Sequence, residues 1–114
     1  MVAMRIGMET RGRVLVVRCQ GELDVASADR LRGEIDRALA DERLDRLCLN
    51  LEGVSFIDSS GLGAILGRYR RIQQRSGRMV IVGAASVVRN ILELSGVLQI
   101  IPAYDSEPQA LARL

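Results

Sequence analysis

Asp58, Ser59 and Ser60 place a carboxylate and two hydroxyls side by side, in the string Ser55-Phe56-Ile57-Asp58-Ser59-Ser60-Gly61-Leu62-Gly63. The apolar run Leu47-Cys48-Leu49-Asn50-Leu51 before it reads as a buried strand, and a helical pattern opens at Leu62. The two serines therefore sit where a strand gives way to a helix N-terminus, where unpaired N–H groups and the macrodipole favour an anion. A phosphate on one of them adds about −1.5 to −2 charge at neutral pH, which makes this rim a candidate charge switch. Gly21-Glu22-Leu23-Asp24 stands at the preceding strand-to-helix junction. Loops at the C-terminal ends of strands in an α/β unit gather on one rim, so Asp24 and Asp58 are expected to share a face with Ser59. Both aspartates also serve simply as helix caps.

Other chemistries meet obstacles in the composition. The chain has no His, which removes a Ser-His-Asp triad, a His base and a His-ligated zinc. Cys19 and Cys48 lie in separate strand-like segments without a C-x-x-C, and read as buried thiols of a reduced cytoplasm. Gly61-x-Gly63-x-x-x-Gly67 is one residue off the dinucleotide fingerprint and lacks the Lys of a P-loop. A carboxylate pair for glycoside hydrolysis would need a sugar cleft, which a chain with 3% aromatic residues does not offer. No metal site or cofactor is expected.

The 16 basic residues, all Arg, against 14 acidic ones leave a net charge of +2, too even to point to nucleic acid. Arg68, Arg71 and Arg75 recur at helical spacing opposite the apolar stripe. They read as a solvated face, with docking to an acidic protein surface as the functional alternative. No apolar stretch reaches the length of a membrane span, and no signal peptide is visible. A cytoplasmic protein is expected.

At 114 residues and 48% hydrophobic content, one domain with an aliphatic core is expected over residues 4–114, with 1–3 as a disordered extension. Residues 4–10 and 14–20 read as a hairpin about Gly12. Residues 21–24 read as a loop and 27–40 as a helix with Ala28, Leu31, Ile35, Ala38 and Leu39 inward, capped by Asp24 or Ser27. After the strand at 47–51, a helix over 60–76 turns Leu62, Ile65, Leu66, Tyr69 and Ile72 inward, capped by Ser60 and closed by Gly77. Residues 79–82 read as a strand and 87–95 as a helix with Val87, Val88, Ile91 and Leu92 inward. Residues 99–101 read as a last strand. Ser106-Glu107-Pro108-Gln109 matches a capping box for a short terminal helix. An opening hairpin followed by β-α repeats means α/β, with a mixed sheet and right-handed crossovers.

With these motifs in place, the chain resembles the STAS-domain family of anti-sigma factor antagonists, and within it the sporulation type. Gly21-Glu22-Leu23-Asp24, Leu49-Asn50-Leu51-Glu52, the string from Ser55 to Gly63, and Ile65-Leu66-Gly67-Arg68-Tyr69 carry the likeness. Ser95-Gly96, Ile100-Ile101, Ser106-Glu107 and Gln109-Ala110-Leu111 extend it over nearly the whole chain. The resemblance implies a STAS fold and a protein that is not an enzyme. Its unphosphorylated form would bind an anti-sigma factor that is also a serine kinase, and so release a sporulation sigma factor. That kinase would use ATP to phosphorylate Ser59, and a PP2C-type phosphatase would reverse the change. Glu22, Asp24, Asp58, Ser60, Gly61, Leu62 and Gly63 would form the partner-binding surface. The alternatives are a general-stress antagonist, a signalling-scaffold or transporter STAS module and, from another class, a small nucleotide-binding domain.

Overall fold

The computed structural model describes residues 4–114; the expected disordered extension at 1–3 lies outside them. Strands β1 (Arg5–Arg11) and β2 (Val14–Leu23) form the hairpin, followed by α1 (Val25–Ala38) and β3 (Arg46–Ile57). Then come α2 (Ser59–Gln74), β4 (Arg78–Val82), α3 (Ser86–Leu94), α4 (Val97–Ile100), β5 (Ala103–Tyr104) and α5 (Glu107–Leu111). The sheet order is β1-β2-β3-β4-β5, antiparallel only between β1 and β2. This is the mixed sheet expected of a hairpin followed by crossovers.

Alternation along the strands divides the core in two. Leu15, Val17, Leu47, Leu49 and Ile81 face one way and pack with Leu31 and Ile35 of α1, Ile65 and Ile72 of α2, and Val88 and Leu92 of α3. Val16, Cys48, Val80 and Val82 face the other way, where Ala110 of α5 covers them. Both cysteines are buried free thiols, and desolvation pushes Cys19 up to about 12 and Cys48 to about 11.

The short α5 is held by a polar clamp. Arg18 donates from Nε and Nη2 to Glu107 at 2.7 and 2.8 Å, and Asn50 donates to the same carboxylate at 2.7 Å. Arg18 first, and then Asn50, draw the Glu107 carboxyl from its ordinary 4.5 down to about 2. A carboxyl depressed in the folded state stabilises fully above its unfolded pKa and loses that contribution as pH falls through the folded value. Since Arg18 is 40% exposed, solvent screening reduces the effect. Glu107→Gln is expected to cost about 1–2 kcal/mol at pH 7. Urea unfolding of both proteins between pH 7 and pH 2 should show the gap closing below about pH 4.

Three expected elements differ. Residues 21–23 and 52–57 are strand rather than loop: β2 and β3 continue as a two-stranded ribbon pairing Gly21 with Val54 and Leu23 with Ile57. Register shifts lie between Arg18 and Gln20 and between Gly21 and Glu22. Gly53 permits the crossing, because a Cβ there would stand 2.6 Å from Gln20 Cγ and 3.0 Å from the Cys19 carbonyl oxygen. Bulges break the period of two that marks a strand, so the segment reads as irregular.

The strand expected at 99–101 is mostly helix α4, which buries Val97 and Ile101 one turn apart, and the last strand is Ala103–Tyr104. Val87, expected inward, is 61% exposed.

Arg68, Arg71 and Arg75, expected to form a solvated face, are instead engaged by neighbouring groups. Arg68 and Arg71 each lie 3.1 Å from Asp36 Oδ1 of α1. The Arg68–Asp36 approach is a close charge contact rather than an aligned hydrogen bond, since neither atom has a well-directed partner. Arg75 donates to the carbonyls of Leu39, Asp41 and Leu44, satisfying the end of α1.

The close of α2 also differs from expectation. Ser76, not Gly77, takes the left-handed conformation at φ 55°. Ser76 N–H donates to Gln73 O and Gly77 N–H to Ile72 O, a Schellman pattern.

Candidate functional site

The extended ribbon sets the candidate rim. Because β2 and β3 are parallel and end together, Asp24 and Asp58 stand at adjacent strand tips, joined by an Asp58 N–H bond to the Leu23 carbonyl at 3.2 Å. The rim expected from topology is therefore formed.

Each aspartate caps its helix. Asp24 accepts from Ser27 N–H at 3.1 Å, while Ser27 Oγ accepts from Asp24 N–H at 2.9 Å, a reciprocal capping box. Of the two N-caps open from the sequence, Asp24 is the cap and Ser27 its partner three residues on. The Ser27 N–H first, and then the Ser27 hydroxyl, which donates to Asp24 Oδ1 at 3.0 Å, hold the Asp24 carboxyl below its ordinary range. Asp58 Oδ1 accepts from Ser60 N–H at 2.9 Å and from Gly61 N–H at 3.1 Å. Asp58, not Ser60, is thus the cap of α2. Ser60 lies half-buried in the first turn.

Ser59 is the first residue of α2, exposed, and its hydroxyl bonds to no other described residue. Asp58 engages the helix backbone through Oδ1, and no bond joins its carboxylate to the Ser59 hydroxyl. Two N–H groups that an anion at the helix N-terminus would use are already taken. A phosphate at this position would find both of those donors occupied. The same occupancy argues against a nucleotide site, since Asp58 alone joins β3 to α2 and leaves no loop to wrap a phosphate.

Four neighbours divide by direction. Gly61 is buried, and a Cβ there would come within 2.7 Å of Leu23 Cγ and of Ile57 Cγ1. Its small size lets the first turn of α2 sit against the strand tips, so it shapes the rim without offering surface to a partner. Leu62 is half-buried against the core. Gly63 is exposed with nothing near its Cα hydrogen, one turn from Ser59 on the same helix face. Glu22 is exposed opposite Phe56 in the ribbon.

Two residues unmarked by sequence reasoning join this face. Phe56, the only Phe of the chain, is 43% exposed, and Val25, the first residue of α1, is 66% exposed. An exposed aromatic flanked by carboxylates and a bare backbone is the makeup of a protein-contact surface. The signal available in sequence was the presence of the lone Phe inside the motif.

Among the described residues no group of three His, Cys, Asp or Glu side chains could hold a metal ion, and no helix is long and apolar enough to cross a membrane.

Comparison with known proteins bears on this geometry. The anti-sigma F factor antagonist of Paenibacillus polymyxa is 40% identical over 111 residues, spanning 97% of this chain and 95% of that protein. The solved structure of the anti-sigma factor antagonist SpoIIAA in its unphosphorylated form matches at TM-score 0.75 and 29% identity, over 97% of this chain and 96% of that one. The Bacillus cell fate determinant SpoIIAA in its phosphorylated form matches at TM-score 0.74 and 31% identity, over 97% and 98%. The STAS domain model matches residues 5–110. With that match spanning the ribbon, both aspartate-capped helices and the clamp on α5, the chain belongs to the STAS-domain family.

Proposed function

We propose that this protein is an anti-sigma factor antagonist of the sporulation type. It binds its anti-sigma factor through the Ser59 rim when unphosphorylated, and releases it when Ser59 carries phosphate. The observation that carries the reading is the placement of Ser59: exposed, without a hydrogen-bond partner among the described residues, on the first turn of a helix two of whose N–H groups Asp58 already occupies. Phosphate added there has nowhere to withdraw. It joins Asp58, with Asp24 and Glu22 close by, in an anionic cluster facing the partner.

The relatives support this reading. The protein named SpoIIAA exists in phosphorylated and unphosphorylated forms, and this chain matches the two about equally. That likeness supports a switch in which the fold is kept and only the surface at Ser59 changes.

The protein itself is an adaptor and not an enzyme. Its anti-sigma factor is the serine kinase and uses ATP, a PP2C-type phosphatase restores the hydroxyl, and all three act in the cytoplasm. Glu22, Asp24, Phe56 and Gly63 make the contact surface, with Asp58 and Gly61 holding its shape.

Intact-mass spectrometry after incubation with the cognate anti-sigma kinase and Mg-ATP tests the assignment. The expected result is one added phosphate, mapped to Ser59 and absent in Ser59→Ala. Label on Ser60, or undiminished label in Ser59→Ala, would overturn it.

A further inference from the structure

The apolar stripe of α2 meets the core as expected, with Ile65 and Ile72 buried and Leu62, Leu66 and Tyr69 packed half-buried at its edge. The buried positions are Gly61, Ala64, Ile65 and Ile72, with Arg68 turned toward α1. Leu66 and Tyr69 are left at the margin, half-exposed. There they border two adjoining cavities, of about 310 and 160 Å³, which share Tyr69, Gln73 and Ile100. Ile100 is 49% exposed.

The charge around this groove has one sign. Arg70 lines the larger cavity, Arg78 and Arg113 the smaller, and no Asp or Glu lines either. All three arginines are exposed. Ten other arginines of the chain stand in salt bridges, from Arg11 to Arg89, whereas these three have no acidic partner among the described residues. Gln73 lies 14 residues along the helix from Ser59, about 21 Å at 1.5 Å per residue. The far end of the groove thus stands away from Ser59, while Leu66 at its near end lies three residues from Gly63 of the rim.

We propose that this groove is a second docking surface, taking an acidic amphipathic segment of a partner protein. An apolar floor with an unpaired cationic border fits a segment that carries aliphatic side chains on one face and carboxylates on the other. Three arginines are few for a polyanion, and the aliphatic floor of Leu66 and Ile100 gains nothing from a phosphate backbone. These points favour protein over nucleic acid or an anionic membrane.

The probe is a 14-residue helical peptide with leucines on one face and glutamates on the other, titrated into the ¹⁵N-labelled full chain. A lysine-for-glutamate counterpart serves as control. Saturable amide shifts confined to Leu66, Tyr69, Arg70, Gln73 and Ile100 are expected, weakening with salt. The double variant R70E/R78E should lose at least tenfold in affinity with its remaining spectrum unchanged, and Ser59→Asp should change nothing. Absence of saturable binding, equal binding of the lysine peptide, or shifts at Phe56 and Val25 instead would overturn the proposal. Displacement of the probe by phosphatidylserine vesicles or a 20-nucleotide RNA at lower concentration would do the same. None of these outcomes bears on phosphorylation of Ser59.

Discussion

Phosphorylation of Ser59 is expected to weaken the complex with the anti-sigma factor by more than a hundredfold, while Ser59→Ala leaves the affinity within about threefold. The asymmetry follows from the local geometry. The Ser59 hydroxyl is exposed and bonds to no other described residue, so Ala removes little from either fold or surface. A phosphate brings nearly two charges. A charge driven into an interface without a counter-charge costs about 2–5 kcal/mol, or roughly 30-fold to several-thousand-fold in affinity. To turn a 99% bound population into a 99% free one takes about 5.5 kcal/mol, just above that range. Ser59→Asp carries one charge on a shorter arm and should fall between, at about tenfold. Titration calorimetry of the three forms against the purified anti-sigma factor gives the ordering. Binding by the phosphorylated form equal to that of the unmodified protein would remove the switch.

The second large effect concerns stability. Gly77→Ala is expected to cost about 3 kcal/mol, the upper range for forcing a group into a packed site, and to lower Tm by roughly 12–20 °C. A Cβ at Gly77 would stand 1.8 Å from the backbone oxygen of Asp45 and 3.0 Å from Ile72 Cγ2. Neither chain segment is free to retreat. Gly77 N–H closes α2 by donating to Ile72 O, and the next residue, Arg78, donates to that same Asp45 oxygen at 3.2 Å as β4 begins. Moving the glycine outward breaks the helix closure, and moving Asp45 outward opens the start of the β3–β4 pairing. Gly67→Ala is the matched control. It lies in the same helix with nothing within 4 Å of the added carbon, and should gain about 0.5–1 kcal/mol. Thermal unfolding of the two variants should therefore move in opposite directions.

How much of this was readable in sequence depends on which contact decides each feature. The hairpin, the inward stripe of α1 and the Ser106 cap of α5 are local, and periodicity with capping chemistry sufficed for them. The rim was legible because a strand-to-helix junction repeats at Asp24 and Asp58, and parallel neighbours must end on the same side. The ribbon at 21–23 and 52–57 was not legible. Its bulges interrupt alternation, and Gly53 reads as a turn residue until Gln20 is seen lying across it. Residues 99–101 combine β-branched residues with a short span, which suits a strand equally well. Helix won because Val97 and Ile101 both reach the core one turn apart. The arginines of α2 illustrate a harder limit. Spacing places Arg68, Arg71 and Arg75 on one face, but only the approach of α1 shows that Asp36 and three carbonyls await them.

The cap of α2 has a consequence for time. Asp58 already accepts from the Ser60 and Gly61 N–H groups, so in the switch proposed above a phosphate on Ser59 has no call on either and is expected to leave the backbone as it is. A switch of this build has no memory. Removing the phosphate restores the original surface at once, with no slow relaxation to wait for and no hysteresis between the rising and falling signal. On the proposed function, the duration of the off state is expected to follow the lifetime of one exposed ester bond, and the steepness of the response the enzymes that make and cleave it.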